Sequence, residues 1–199
     1  CCGEKLDMAQ LQEIWESKLE PVYPYRKAGS TVEKIDGQLA APAAPKIGVA
    51  KPKVIIPVFP GTNCEYDTAK AFARAGADPE ILVIRNLTPA DVTASCEALV
   101  KAIDNSQIVM LPGGFSGGDE PDGSAKFIAS FFRSPAVTEA VRSLLQKRDG
   151  LMLGICNGFQ ALIKLGLVPY GDIREISQYD PTLTFNTIGR HQSMLVRTR

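Results

Sequence analysis

The run Gly154-Ile155-Cys156-Asn157-Gly158-Phe159-Gln160 follows one apolar stretch, Leu151-Met152-Leu153, and leads into another, Ala161-Leu162. A cysteine between two glycines, with strand before it and helix after it, is the layout of a nucleophile elbow. Such a sharp turn lifts one side chain above the end of a sheet strand. Gly154 and Gly158 carry no Cβ to obstruct so tight a crossing. At a helix N-terminus, Cys156 would also face backbone N–H groups that hold negative charge, as an attacking sulfur requires. The competing reading is a buried structural cysteine, a residue type often found in cores.

Two further loops carry chemistry-bearing residues. Phe59-Pro60-Gly61-Thr62-Asn63-Cys64-Glu65 follows the apolar run Val54 to Phe59, and Leu111-Pro112-Gly113-Gly114-Phe115-Ser116-Gly117-Gly118-Asp119-Glu120 follows Ile108-Val109-Met110-Leu111. Four glycines in one loop bring bare backbone N–H groups close to a ligand, as an oxyanion hole or anion nest needs. A phosphate loop is disfavoured because no Gly-Lys-Ser/Thr is present. Cys64 is a rival nucleophile, but it lacks the glycine-flanked turn and reads better as loop lining. Cys96 falls within an apolar helical stretch and reads as core. Cys1, as an N-terminal nucleophile, would use its own α-amino group as base; the polar residues after it argue against that.

The elements that must position these loops alternate. Strands are expected at 54–59, 81–84, 108–111 and 151–153. Helices are expected at Tyr66 to Ala75, from Thr88-Pro89 onward, and from Ser134-Pro135 to about Lys147. Near-continuous apolar strands separated by helices indicate a parallel sheet covered on both faces. The expected class is therefore α/β, an open parallel sheet with helices on both faces, flavodoxin-like or Rossmann-like. Ligands of such sheets bind beyond the carboxyl ends of the strands, so all three loops converge on one edge. Ahead of the sheet, Leu11, Ile14, Trp15 and Leu19 repeat at helical spacing between Asp7 and Leu19, with Trp15 as a packing anchor. Prolines 21, 24, 42 and 45 then mark residues 20 to 52 as an extended linker.

Composition sets the boundaries of the function. Lys+Arg and Asp+Glu are both 22 in 199 residues, so no net basic field invites nucleic acid or an anionic membrane. No apolar run approaches the roughly 20 residues of a membrane span. The start has no signal-peptide regions. Five cysteines, an odd number without a CxxC pair, fit neither a disulfide framework nor a zinc cage. A cytoplasmic protein without a metal site is expected.

Together these three motifs resemble class I (triad-type) glutamine amidotransferases, and within them the glutaminase portion of phosphoribosylformylglycinamidine synthases; the N-terminal helix and proline-rich linker favour the long-chain form. The likeness runs over residues 53 to 199. It implies a glutaminase domain at 53–199, with residues 1–52 as the tail of a synthetase region and its linker. It further implies Cys156 as the nucleophile that forms a glutamyl thioester, and oxyanion or substrate contacts from Gly113, Gly114, Asn157 and Gln160. Glutamine is the implied substrate and the synthetase domain of the parent chain the implied partner. ATP and magnesium are implied in that absent domain, and no cofactor in this one. The family serves its cysteine with a histidine in a His-Pro-Glu-like stretch. This sequence has one histidine, His191, in an alternating run read as strand, so the expectation is a structural or surface histidine and a domain truncated before its base. A non-catalytic docking or regulatory module of the same fold is the alternative function. A hydrolase or stress protein of similar architecture is less favoured, because it would pair the cysteine with a neighbouring histidine where Asn157 stands.

Overall fold

A computed structural model describes residues 3, 5–22, 48–115, 125–184, 186 and 188–193. The chain divides into two compact units, one of Cys1–Ala41 with Thr184–Arg199 and one of Pro42–Leu183.

In the first unit, helix α1 spans Met8–Ser17. Asp7 caps it by accepting hydrogen bonds from the N–H groups of Ala9 at 2.8 Å and Gln10 at 3.2 Å, which satisfies two donors of the first turn. The expected helix is present, but Trp15 is 62% exposed rather than a packing anchor. The linker expected at 20–52 falls largely at 23–47, outside the described residues. His191 is exposed and not in a strand.

The second unit holds the sheet. Its elements in chain order are β1 (Lys53–Val58), α2 (Glu65–Arg74), β2 (Asp78–Val83), α3 (Pro89–Asp104), β3 (Ile108–Leu111), α4 (Lys126–Phe132), α5 (Pro135–Arg142), β4 (Leu151–Gly154), α6 (Asn157–Leu165) and α7 (Leu167–Tyr170). α5 continues through a π-helical turn, Ser143–Lys147. The four strands are parallel in the order β2-β1-β3-β4, which is the flavodoxin-like doubly wound order over its first four strands.

The two faces differ. Ile55, Val109 and Leu111 point into the larger core, with Leu99 and Ile103 of α3, Phe131 and Phe132 of α4, Val137 and Val141 of α5, and Leu162 and Leu165 of α6. Val54, Ile56 and Met110 face the other way, toward Ala69 and Phe72 of α2. Alternation along a strand produces this division, because successive side chains leave on opposite faces. The face with α2 stays open over β4, where Leu151 is 39% and Leu153 45% exposed. The strand at 151–153 is thus not covered on both faces; its apolar run packs on one side only, through Met152.

Other departures are local. The sequence carries no start signal for α4, because Ala125 opens it in the left-handed region, with φ 64° and no capping side chain. β2 begins at Asp78 and includes Pro79, a residue tolerated because β2 is an edge strand. The strand expected around His191 is absent among the described residues: 188–193 contain no strand. Periodicity signals a strand only where a partner supplies the ladder. Among the described residues no helix is long and apolar enough to cross a membrane.

Candidate functional site at the carboxyl edge of the sheet

The parallel sheet delivers Cys64, Gly114 and Cys156 to the same edge, each in the connection that follows a strand: β1, β3 and β4 respectively. β3 lies between the other two strands, so its loop separates the two thiols.

The elbow is built by close backbone approach. Ile155 N–H donates to the Leu111 carbonyl at 3.1 Å, carrying the β3–β4 ladder one residue past the strand. Cys156 then takes φ 53°, ψ −110°, a region a side chain occupies only when its surroundings hold it there, at a cost of about 1–3 kcal/mol. Gly158 N–H donates to Ile155 at 2.9 Å and Gln160 N–H to Cys156 at 3.0 Å, so the chain is helical directly after the cysteine. Neither flanking glycine has room for a side chain. A Cβ on Gly154 would stand 2.5 Å from the Gly158 carbonyl oxygen, and one on Gly158 2.0 Å from the Leu111 oxygen. Cys156 itself is an exposed, free thiol.

The other candidate residues lie around it. A Cβ built on Gly113 would meet the Cys156 Cβ at 3.4 Å, so the two backbones are neighbours. Asn157 is buried, and its Nδ2 donates to Gln160 Oε1 at 3.3 Å. As the first residue of α6, Asn157 has a backbone N–H outside the helical i→i−4 ladder. The structure brings Cys156, Gly113, Gly114, Asn157 and Gln160 to one place. The rest of the glycine-rich loop, residues 116–124, lies outside the described residues.

The first loop has a firmer structure than its sequence announces. Phe59 is buried and packs edge-on to Phe127 at 5.6 Å and Phe131 at 5.5 Å between ring centroids. Thr62 N–H donates to the Phe59 carbonyl at 2.9 Å, and the Phe59 N–H returns to Thr62 Oγ1 at 3.2 Å. Asn63 N–H donates to Gly113 at 3.0 Å, and Phe115 N–H to Gly61 at 2.8 Å. Thr62 and Asn63 carried no assigned role in the sequence; the available signal was a Pro-Gly-Thr-Asn turn at the end of a buried strand. Cys64 caps α2 in the left-handed region and donates through Sγ to Asn63 Oδ1 at 3.0 Å. Cys96 is half-buried, with Sγ 3.5 Å from Ser134 Oγ.

Comparison with known proteins gives a consistent picture. The family described as "CobB/CobQ-like glutamine amidotransferase domain" matches residues 51–199. The phosphoribosylformylglycinamidine synthase subunit PurQ of Dehalococcoides mccartyi is 35% identical over 144 residues, 72% of this chain and 51% of the relative. The PurQ subunit of Cereibacter sphaeroides is 42% identical over 117 residues, 59% of this chain and 44% of the relative. This chain therefore spans about half the length of the curated relatives it matches. Among solved structures, PurLQS from Thermotoga maritima aligns over 59% of this chain and 45% of that one, at 28% identity and a TM-score of 0.40.

Proposed function

The chain belongs to the CobB/CobQ-like glutamine amidotransferase family, and from that premise we propose that it is the glutaminase portion of a phosphoribosylformylglycinamidine synthase, with Cys156 as nucleophile. The observation that carries this reading is the elbow. A free, exposed thiol is held at φ 53°, ψ −110° beside the Gly113 backbone, at the edge where open α/β sheets bind ligands.

In this reading the Cys156 sulfur attacks the side-chain amide carbon of glutamine. An S–C bond forms, and the carbonyl oxygen takes the negative charge. Backbone N–H groups of Gly114 and Asn157 stabilise that oxygen, each donor contributing about 3–4 kcal/mol to lowering the barrier. The C–N bond then breaks and ammonia leaves with a proton. Water cleaves the thioester, returning the thiol and giving glutamate. Gln160, held by Asn157, contacts the substrate. A base must take the thiol proton and an acid must supply the proton to ammonia. The only histidine in the sequence is His191, read as a structural or surface residue, and no His-x-Glu occurs, so residues 1–199 alone are proposed to turn over little glutamine.

The ammonia is proposed to feed a synthetase portion that converts formylglycinamide ribonucleotide to its amidine. ATP and magnesium belong to that portion, and residues 1–52 are its tail and connector. Residues 1–199 should be alkylated by a glutamine-like reagent at Cys156 faster than at Cys64 or Cys96, while releasing negligible ammonia. Full-length protein should release ammonia from glutamine and lose this with Cys156→Ala. Equal labelling of all three cysteines, or turnover by residues 1–199 that disappears in His191→Ala, would overturn the assignment of roles.

A further inference from the structure

We propose that the turn Gly61–Asn63 is a positioning clamp for the Gly113–Gly114 peptide, aiming the Gly114 N–H at the elbow, with Thr62 as its positioning residue. The inference rests on the reading of Cys156 as nucleophile and Gly114 as oxyanion donor, and adds what holds that donor in place.

The geometry is that of a short antiparallel bridge between two loops, Thr62 opposite Gly114. Its two hydrogen bonds flank the pair: Asn63 N–H to Gly113 at 3.0 Å and Phe115 N–H to Gly61 at 2.8 Å. Thr62 and Gly114 are therefore a non-hydrogen-bonded pair, whose own N–H and C=O groups point away from the opposing segment. The same follows from the peptide itself. No peptide bond is cis, and in a trans peptide the N–H points opposite the C=O. With the Gly113 carbonyl turned toward Asn63, the Gly114 N–H is turned away from the β1 loop. β3 separates β1 from β4, so that direction is the side of the Cys156 elbow.

The contact also leaves no slack. Gly114 has φ 125°, and a Cβ there would lie 2.6 Å from both the Asn63 nitrogen and the Gly61 oxygen. The clamp is itself anchored, because the paired Phe59–Thr62 hydrogen bonds close the turn and the Phe59 ring sits among the rings of α4. Thr62 Oγ1 is the one side-chain atom among these hydrogen bonds. Losing it frees the Phe59 N–H and lets the 61–63 segment shift, and the donor shifts with it. Misplacement by about 1 Å can cost about 100-fold in rate.

The test uses full-length protein and glutamine hydrolysis. Thr62→Val, and Thr62→Ala as a second variant without added bulk, should lower kcat by about 10-fold or more with glutamine KM within about twofold. Thr62→Ser keeps the acceptor and should restore kcat. Glutamate γ-semialdehyde, whose adduct with the thiol places an oxygen in the oxyanion position, should bind both deficient variants more weakly in proportion to kcat. Iodoacetamide should still alkylate Cys156 at the unmodified rate, since simple alkylation needs no oxyanion donor. Unchanged kcat in both variants overturns the clamp, as does a parallel loss of kcat, KM and alkylation rate, which marks general damage. Full-length Cys156→Ala that still hydrolyses glutamine sinks the catalytic reading itself, whatever Thr62 does.

Discussion

The Leu111 carbonyl joins strand and elbow: it accepts the Ile155 N–H at 3.1 Å, and a Cβ on Gly158 would stand 2.0 Å from its oxygen. α6 starts pressed against the backbone of β3, and this contact sets the height of Cys156 above the sheet.

Gly158→Ala is therefore expected to force β3 and α6 apart, destabilising the domain by about 1–3 kcal/mol through overpacking. Urea denaturation measures this. Unchanged stability would mean that α6 does not depend on the close approach.

The backbone at Cys156 suits glycine better than any side chain. Cys156→Gly should be more stable than Cys156→Ala by about 1–2 kcal/mol, with both inactive. Comparing thermal unfolding of the two variants isolates the strain, and equal stability would argue that the elbow conformation costs nothing.

Tyr170, Arg174 and Asp180 form a small polar knot behind α7. Asp180 accepts from the Tyr170 hydroxyl and, at 2.6 Å, from the Ser177 N–H, while Arg174 Nη2 approaches it at 3.1 Å. The Tyr170 hydrogen bond is the largest cause that holds the carboxyl at about 2, against its ordinary 3.8. A depressed acid releases its proton more readily when folded, so its contribution is fully present above about pH 4 and lost as pH falls through 2. Between pH 5 and pH 2.5 the urea midpoint of Asp180→Asn should fall less than that of the unmodified protein. An identical fall would remove Asp180 from the acid response.

Arg148 gathers the end of α3. Its guanidinium donates to the carbonyls of Asp104 at 3.0 Å, Ser106 at 2.9 Å and Ile103 at 2.9 Å, and the Ile103 carbonyl also accepts from the Ser106 N–H at 3.1 Å. Lysine keeps the charge but not the fork. Arg148→Lys should lower Tm by about 2–4 °C, and an unchanged Tm would show that water serves those carbonyls equally well.

Much of this protein is written locally. Val54-Ile55-Ile56 and Ile108-Val109-Met110-Leu111 read as strands because their residues are apolar in succession, and both are strands. Thr88-Pro89 announces α3 through a side-chain cap seen at 3.1 Å to the Asp91 N–H. Gly-x-Cys-x-Gly between strand and helix gives the position of the elbow because steric exclusion at its two glycines is a property of residue type. α4 is not legible in the sequence because its start at Ala125 uses an uncommon backbone region without a capping side chain. The exposure of Leu151 and Leu153 was invisible because an apolar run states that a residue can be buried, not that a neighbour arrives to bury it. The bridge from Asn63 to Gly113 and from Phe115 to Gly61 was equally hidden. It is made by backbone groups that every non-proline residue carries, so only the order of the strands, bringing the two loops side by side, could decide that they bond.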